Sequence, residues 1–165
     1  LQPVVEALTS AMDVPLSWDL TAQDAGRFSG AYTGQSGLPL EPDRLRYLTG
    51  SALASCTARD LEGEIPLYDW EKAQGRDPYD FFLSGASPIQ VLENPAALSD
   101  RELVVFRDSF GSSLAPLLAG SYRKITLIDL QYISSDLLES YVCFQEQDVL
   151  FLYSALIWNQ SGTIR

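Results

Sequence analysis

Three consecutive residues, Arg107-Asp108-Ser109, bring a cation, a carboxylate and a hydroxyl together directly after the apolar run Leu103-Val104-Val105-Phe106. A serine is a poor nucleophile until a base takes its proton, and a positioned base is worth about 10²–10⁴ in rate. The chain holds no histidine, so the commonest such base is missing and imidazole-based metal sites are excluded with it. Asp108 alone is a weak substitute, because an exposed carboxylate with a pKa of about 4 is a feeble base at neutral pH. Ser109 therefore has two readings, a nucleophile or a cap of the helix that follows, and local chemistry alone favours the cap.

The remaining candidates also carry two readings each. The turn Ser84-Gly85-Ala86-Ser87 could aim a backbone N–H at Ser109 as an oxyanion donor, although glycine followed by Ser-Pro is ordinary turn chemistry. Asp129, at the end of its strand, could pair with Arg107 or cap the following helix, the cap being the simpler. Arg107, Tyr132 and Trp158 could bind a substrate, though the two aromatics could equally belong to the core and its rim. The acidic run at 60–64 is a solvated turn, with too few closely spaced oxygens for calcium. Cys56 and Cys143 read as isolated thiols rather than a disulfide and match no metal spacing. No cofactor or metal is expected.

These residues need elements to hold them. Leu103 to Phe106 is a continuous apolar run of the kind buried on both faces of a parallel sheet. Gly111 relaxes the backbone beyond Ser109, and Ser112 or Ser113 can N-cap a helix to Ala119. Strand Lys124–Leu130, helix Ser135–Val142 and strand Val149–Tyr153 continue an alternation typical of right-handed crossovers. Tyr79–Leu83 and Ile89–Leu92 read as two further strands. The expected fold is therefore α/β, a three-layer parallel sheet with flanking helices, preceded by an antiparallel hairpin insertion. In such sheets the loops beyond the carboxyl ends of the strands collect function. Here they are Ser84–Ser87, Arg107–Gly111, Asp129–Tyr132 and Ser154–Asn159.

The first half, residues 1–78, reads as helix, loop and hairpin. Leu1–Met12 has helical spacing and a tolerated Pro3 but no convincing N-cap, which suggests a sequence cut from something longer. Thr21–Gly26 reads as a second short helix. The Gly-, Ser- and Tyr-rich stretch from Phe28 to Pro42 is a loop pinned by Phe28 and Tyr32, with Gly34 among its breakers. Leu45–Leu48, Ser55–Arg59 and Pro66–Asp69 read as short strands of a flap.

At 165 residues and 46% apolar composition the chain suits a single domain, or a substantial part of one, with a real core. Its net charge of −11, from 22 acidic against 11 basic side chains, argues against nucleic acid and against anionic lipid. No run approaches the ~20 apolar residues needed to span a bilayer, so no membrane insertion is expected of this segment. Leu1–Ser10 lacks the basic start of a signal peptide, which leaves open a leader removed ahead of it. Oligomeric state is not legible.

Several motifs also occur in a recognisable order: Tyr-Asp-Phe-Phe-Leu-Ser-Gly at 79–85, Glu93-Asn94-Pro95, Phe-Arg-Asp-Ser-Phe-Gly-Ser-Ser-Leu-Ala-Pro-Leu-Leu at 106–118, Lys-Ile-Thr-Leu-Ile-Asp-Leu at 124–130 and Gln-Asp-Val-Leu-Phe-Leu-Tyr-Ser at 147–154. This text resembles the DHHW family of Gram-positive bacteria, distant relatives of the SGNH (GDSL-type) esterases and of alginate O-acetylation proteins. The resemblance implies an SGNH/flavodoxin-like fold and Ser109 as nucleophile, with the N–H groups of Ser109 and Gly85 as oxyanion donors. It also implies an extracellular or surface-anchored protein that acts on a cell-surface polysaccharide. The Asp-His-His-Trp motif that supplies the family's acid and base lies upstream in its members and does not occur here. Ala86 stands where an SGNH esterase would offer asparagine. The implied parent is an O-acyl esterase or acyltransferase for envelope glycans, and this chain, read as its C-terminal portion, is expected to be inactive. The competing expectations are a non-catalytic glycan-binding or assembly module and a plain structural domain. An exposed Ser109 would favour the enzyme, and a buried one under an aromatic groove the binding module.

Overall fold

The computed structural model describes residues 1–16, 18–30, 37, 39–159 and 162. In chain order these form helix α1 (Gln2–Ala11), strands β1 (Thr21–Phe28) and β2 (Asp43–Thr49), and the one-turn helix α2 (Ser51–Ala54). Strands β3 (Thr57–Arg59), β4 (Glu64–Ile65), β5 (Ile89–Glu93) and β6 (Glu102–Arg107) follow. Helix α3 (Phe110–Leu118), strands β7 (Lys124–Ile128) and β8 (Asp148–Leu152), and the short helix α4 (Ala155–Asn159) complete the set. The expected loop residues Tyr32 and Gly34 lie outside the described residues.

Six strands make one sheet in the order β4-β3-β5-β7-β6-β8, and β1 pairs with β2 in a separate two-stranded sheet. The class is α/β, but the expected all-parallel sheet is corrected to a mixed one. Only β7, β6 and β8 run parallel, while β5 is antiparallel to β7, and β3 to both β5 and β4. Residues 94–101 join β5 to β6 without a helix, and a parallel crossover needs a dozen residues or more. Antiparallel placement is what so short a connection permits.

Three local assignments change as well. Tyr79–Leu83 is not a strand: Pro78 opens a 3-10 helix at Pro78–Phe81, and the Asp77 carboxylate caps it by accepting from the Tyr79 N–H at 3.0 Å. Ser135–Ser140 is likewise 3-10 rather than α-helical. Thr21–Gly26 is strand, not helix. It pairs with β2 from Thr21 opposite Thr49 to Phe28 opposite Asp43, with a register shift at Asp24/Gly26 where Gly26 takes φ +119°. A tertiary partner overrides a weak local preference there. Of the expected strand Pro66–Asp69, only Tyr68 keeps a bridge, to Phe82.

Alternation along β6 divides the core. Leu103 and Val105 face a cluster with Val5 of α1, Leu114 and Leu118 of α3, and Ile125 and Leu127 of β7. Val104 and Phe106 face a second cluster with Ile89, Val91, Ile128 and Leu138. The hairpin sheet is held to the body by a third cluster of aromatics, in which Tyr47, Tyr68, Phe81 and Phe82 stack or meet edge to face. Burial accounts for stability strand by strand. Leu127→Ala should lower unfolding free energy by about 2–5 kcal/mol in urea melts, whereas Val149→Ala, on the half-exposed β8, should change it by no more than about 0.5 kcal/mol.

Candidate functional site

Strand β6 ends by turning a full positive charge inward. Arg107, expected to bind substrate, is instead 1% exposed and out of reach of solvent, Asp108 is buried beside it, and Ser109 emerges into solvent at the carboxyl edge of the sheet. Asp108 holds this corner. One of its carboxylate oxygens accepts from the Phe110 N–H at 3.1 Å, and the other accepts from the Ser154 N–H at 2.7 Å. The first turn of α3 and the end of β8 are thus tied to one side chain, as suits an anion at a helix N-terminus. Ser109 adopts helical angles (φ −55°, ψ −27°) and makes no side-chain capping bond. The cap reading of Ser109 therefore fails, and so does that of Ser112 and Ser113. Ser112 is buried inside the helix, and the Ser113 hydroxyl donates to the Phe110 carbonyl (3.3 Å) and accepts from the Tyr79 hydroxyl (2.8 Å).

Beneath the corner lies a polar network that patterning did not reveal. Arg107 Nη2 donates to Gln90 Oε1 at 2.5 Å, its Nη1 donates to the Asp108 carbonyl at 3.4 Å, and Nη1 stands 3.9 Å from Asp129 Oδ2. Gln90 in turn donates from Nε2 to the carbonyls of Leu83 (2.8 Å) and Gly85 (3.2 Å). One buried amide therefore couples the serine corner to the 83–85 turn. Its signal in the sequence was a lone polar residue inside the apolar strand Ile89-Gln90-Val91-Leu92.

That turn is unusual in its backbone. Leu83, Ser84 and Gly85 take φ of +54°, +57° and +95° in succession, a region costly for residues with a Cβ. A Cβ at Gly85 would also fall 2.7 Å from Asp80 Oδ1. Ser84 is steadied by donating to Asp69 at 2.7 Å. The Gly85 N–H, however, donates to the Phe82 carbonyl at 3.1 Å. It is committed to closing the turn, which does not suit the oxyanion role the resemblance implies for it.

Burial sets the electrostatics. It pulls the Arg107 guanidinium below its ordinary range, against the attraction of Asp129 and Asp108. It pushes the Asp129 carboxyl up, offset by the Gln131 N–H and by Arg107. It raises Tyr153 to about 12. Asp129 faces Arg107 and accepts from the Gln131 N–H at 3.0 Å, closing a turn; it does not cap the following helix, whose N-cap position is Ser134. Arg107 Nε and Tyr153 Oη have no partner among the described residues. Tyr132 and Trp158 are exposed at the same edge of the sheet, Trp158 meeting Tyr153 edge to face at 5.9 Å. Among the described residues no group of His, Cys, Asp or Glu could hold a metal ion, and no helix is long and apolar enough to cross a membrane. Cys56 and Cys143 are free.

No protein-family model and no curated protein matches the chain. Its fold, however, is shared with solved structures. A DHHW family protein from Eubacterium siraeum superposes with TM-score 0.68 at 20% identity, over 98% of this chain and 55% of that one. PatB1 of Bacillus cereus, solved with a sulfonyl adduct, superposes with TM-score 0.64 at 22% identity, over 93% of this chain and 55% of that one. A second PatB1 structure gives 0.60 at 19%, over 93% and 56%. The chain spans about half the length of these structures.

Two outcomes follow from the network. Gln90→Leu leaves Arg107 and two carbonyls without their partner and should cost about 2–4 kcal/mol of stability, read by denaturant unfolding. Asp129 should titrate above the usual carboxylate range by carboxyl-carbon NMR, and Arg107→Gln should move it further up. Because its native pKa is raised, the stability this group contributes is full below the ordinary aspartate value, about 3.9, and is lost as pH rises through the native value.

Proposed function

We propose that Ser109 is the nucleophile of an SGNH-like O-acyl esterase or acyltransferase acting on cell-envelope glycans, and that these residues are the C-terminal portion of that catalytic unit. The observation that carries this reading is the exposure of Ser109, uncapped, at the carboxyl edge of β6, directly after a buried aspartate. A binding module built over a buried serine is disfavoured by the same observation. The shared fold supports the reading, and so does the sulfonyl adduct on PatB1, since attack on sulfonyl sulfur is the behaviour of an activated nucleophile. An extracellular or surface-anchored location goes with the proposed substrate.

In the proposed reaction Ser109 Oγ attacks the ester carbonyl and loses its proton to a base. The tetrahedral oxyanion collapses to a Ser109 acyl-enzyme with departure of the alcohol, and water or a sugar hydroxyl then takes the acyl group. Of the oxyanion donors implied by resemblance, the Gly85 N–H is spent on Phe82, so the Ser109 N–H at the start of α3 is the candidate that remains. Exposed Tyr132 and Trp158 offer stacking faces for a sugar, and Arg107 acts from below by holding the corner in place. Asp108 cannot supply the base without releasing Phe110 and Ser154. With no histidine in the chain, Ser109 has no general base of its own.

The 165 residues alone should therefore hydrolyse p-nitrophenyl acetate no faster than their Ser109→Ala variant, within about twofold, where a working base would separate the two by about 10²-fold or more. The polypeptide of the complete reading frame should react with a fluorophosphonate at Ser109, with mass spectrometry locating the adduct. Labelling elsewhere, or none, removes the nucleophile reading.

A further inference from the structure

The two edges of the six-stranded sheet are unlike. At one end β4 is two residues long, and Arg59 and Glu64 charge the last strand pair. Such a short, charged edge discourages further pairing. At the other end β8 runs five residues, Asp148-Val-Leu-Phe-Leu152, bonded to β6 on one side and to no strand on the other among the described residues. Its outer N–H and C=O groups form an open template, and beyond Asp148 it carries neither charge nor proline.

The face at this edge is open too. Val149 and Phe151 point to the side of Phe106 and are 49% and 58% exposed, and Phe144 beside them is 43% exposed. Phe151 stacks on Phe106 at 4.8 Å between ring centroids with 9° between planes, and Phe144 lies parallel to Phe106 at 6.5 Å. Further along the same face, a cavity of about 280 Å³ opens over Val91, Val104 and Thr126. The opposite face is covered by α1 and α3. An α/β sheet buries both faces, and a contiguous apolar patch at an open edge marks an interaction surface.

We propose that the free edge of β8, with the Phe144, Val149 and Phe151 face beside it, receives a further parallel β-strand and its covering element from the same polypeptide. The parallel direction continues β7, β6 and β8. The identity of the occupant rests on the reading above that these residues are part of a larger unit, since the matching structures are nearly twice as long. Asp108 already joins the carboxyl end of β8 to the serine corner. A parallel strand beside β8 would end at that same edge, and the loop leaving it would open next to Ser109 and Ser154. The second half of the site therefore has a place to arrive, and it is this edge rather than the β4 edge.

Hydrogen exchange with mass spectrometry tests this on the polypeptide of the complete reading frame against the 165-residue chain. Expected is at least about 100-fold slower exchange of amides 148–152 in the longer protein, lost on Phe151→Glu, with residues 124–128 of β7 protected equally in both. Should the shorter chain fail to fold by circular dichroism, the effect of Phe151→Glu within the longer protein decides. Equal exchange at 148–152, or Phe151→Glu without effect there, overturns the proposal. So does protection of the shorter chain that grows with concentration alongside a dimer in light scattering, which would make the occupant a second copy. Fluorophosphonate labelling of Ser109 is read separately: protected β8 with an inert Ser109 leaves the docking edge standing and removes the enzyme.

Discussion

A guanidinium that is 1% exposed is the constraint around which this fold is arranged. Removing such a charge from water costs several kcal/mol even after relaxation, so a buried arginine persists only when acceptors surround it. Here Gln90 from β5, the Asp108 carbonyl from the corner and the Asp129 carboxylate from the end of β7 converge on Arg107. Three strands and two turns are thereby held to one side chain. The helix that follows respects it as well: a Cβ at Gly111 would lie 2.7 Å from Arg107 Cβ, so only glycine lets α3 start this close to the strand.

That arrangement explains why the exposed serine sits on rigid support. Ser109 itself bonds to little, but the residues on either side are fixed, Asp108 by two backbone donors and α3 by packing of Leu114, Leu117 and Leu118 into the core. The 83–85 turn is fixed through Gln90. A side chain on rigid elements keeps its geometry better than one on a loop. At this edge Arg107, Asp108 and Gln90 are buried in the structure, whereas Ser109, Tyr132 and Trp158 meet solvent.

How much was legible beforehand differed by element. The apolar runs that became β5, β6 and β7 lie close to their observed bounds, because continuous burial leaves a composition signal that needs no partner to be seen, and β8, though half-exposed, carries the same apolar run. Thr21–Phe28 was misread because a strand of polar residues has no such signal, and only its pairing with Asp43–Thr49 makes it a strand. Tyr79–Leu83 was misread because its aromatics are buried by a 3-10 turn rather than a strand, and apolar runs of that length do not distinguish the two. At the serine corner the capping role falls to a different residue than expected: Asp108 accepts from the Phe110 N–H, and the Ser109 side chain caps nothing.

The sequence by itself determined the α/β class, the serine corner and the absence of any histidine to activate it, since each depends on residue identity or on spacing within one element. The resemblance in its motifs pointed to the same fold that the matching structures share. Only the tertiary structure decided the direction of β5, the use of Gln90 to join two distant turns, the commitment of the Gly85 N–H to Phe82, and which sheet edge stays open. Those depend on contacts between residues far apart in the chain, such as Gln90 with Arg107, and hydrogen bonding across that distance leaves no period for a sequence to display.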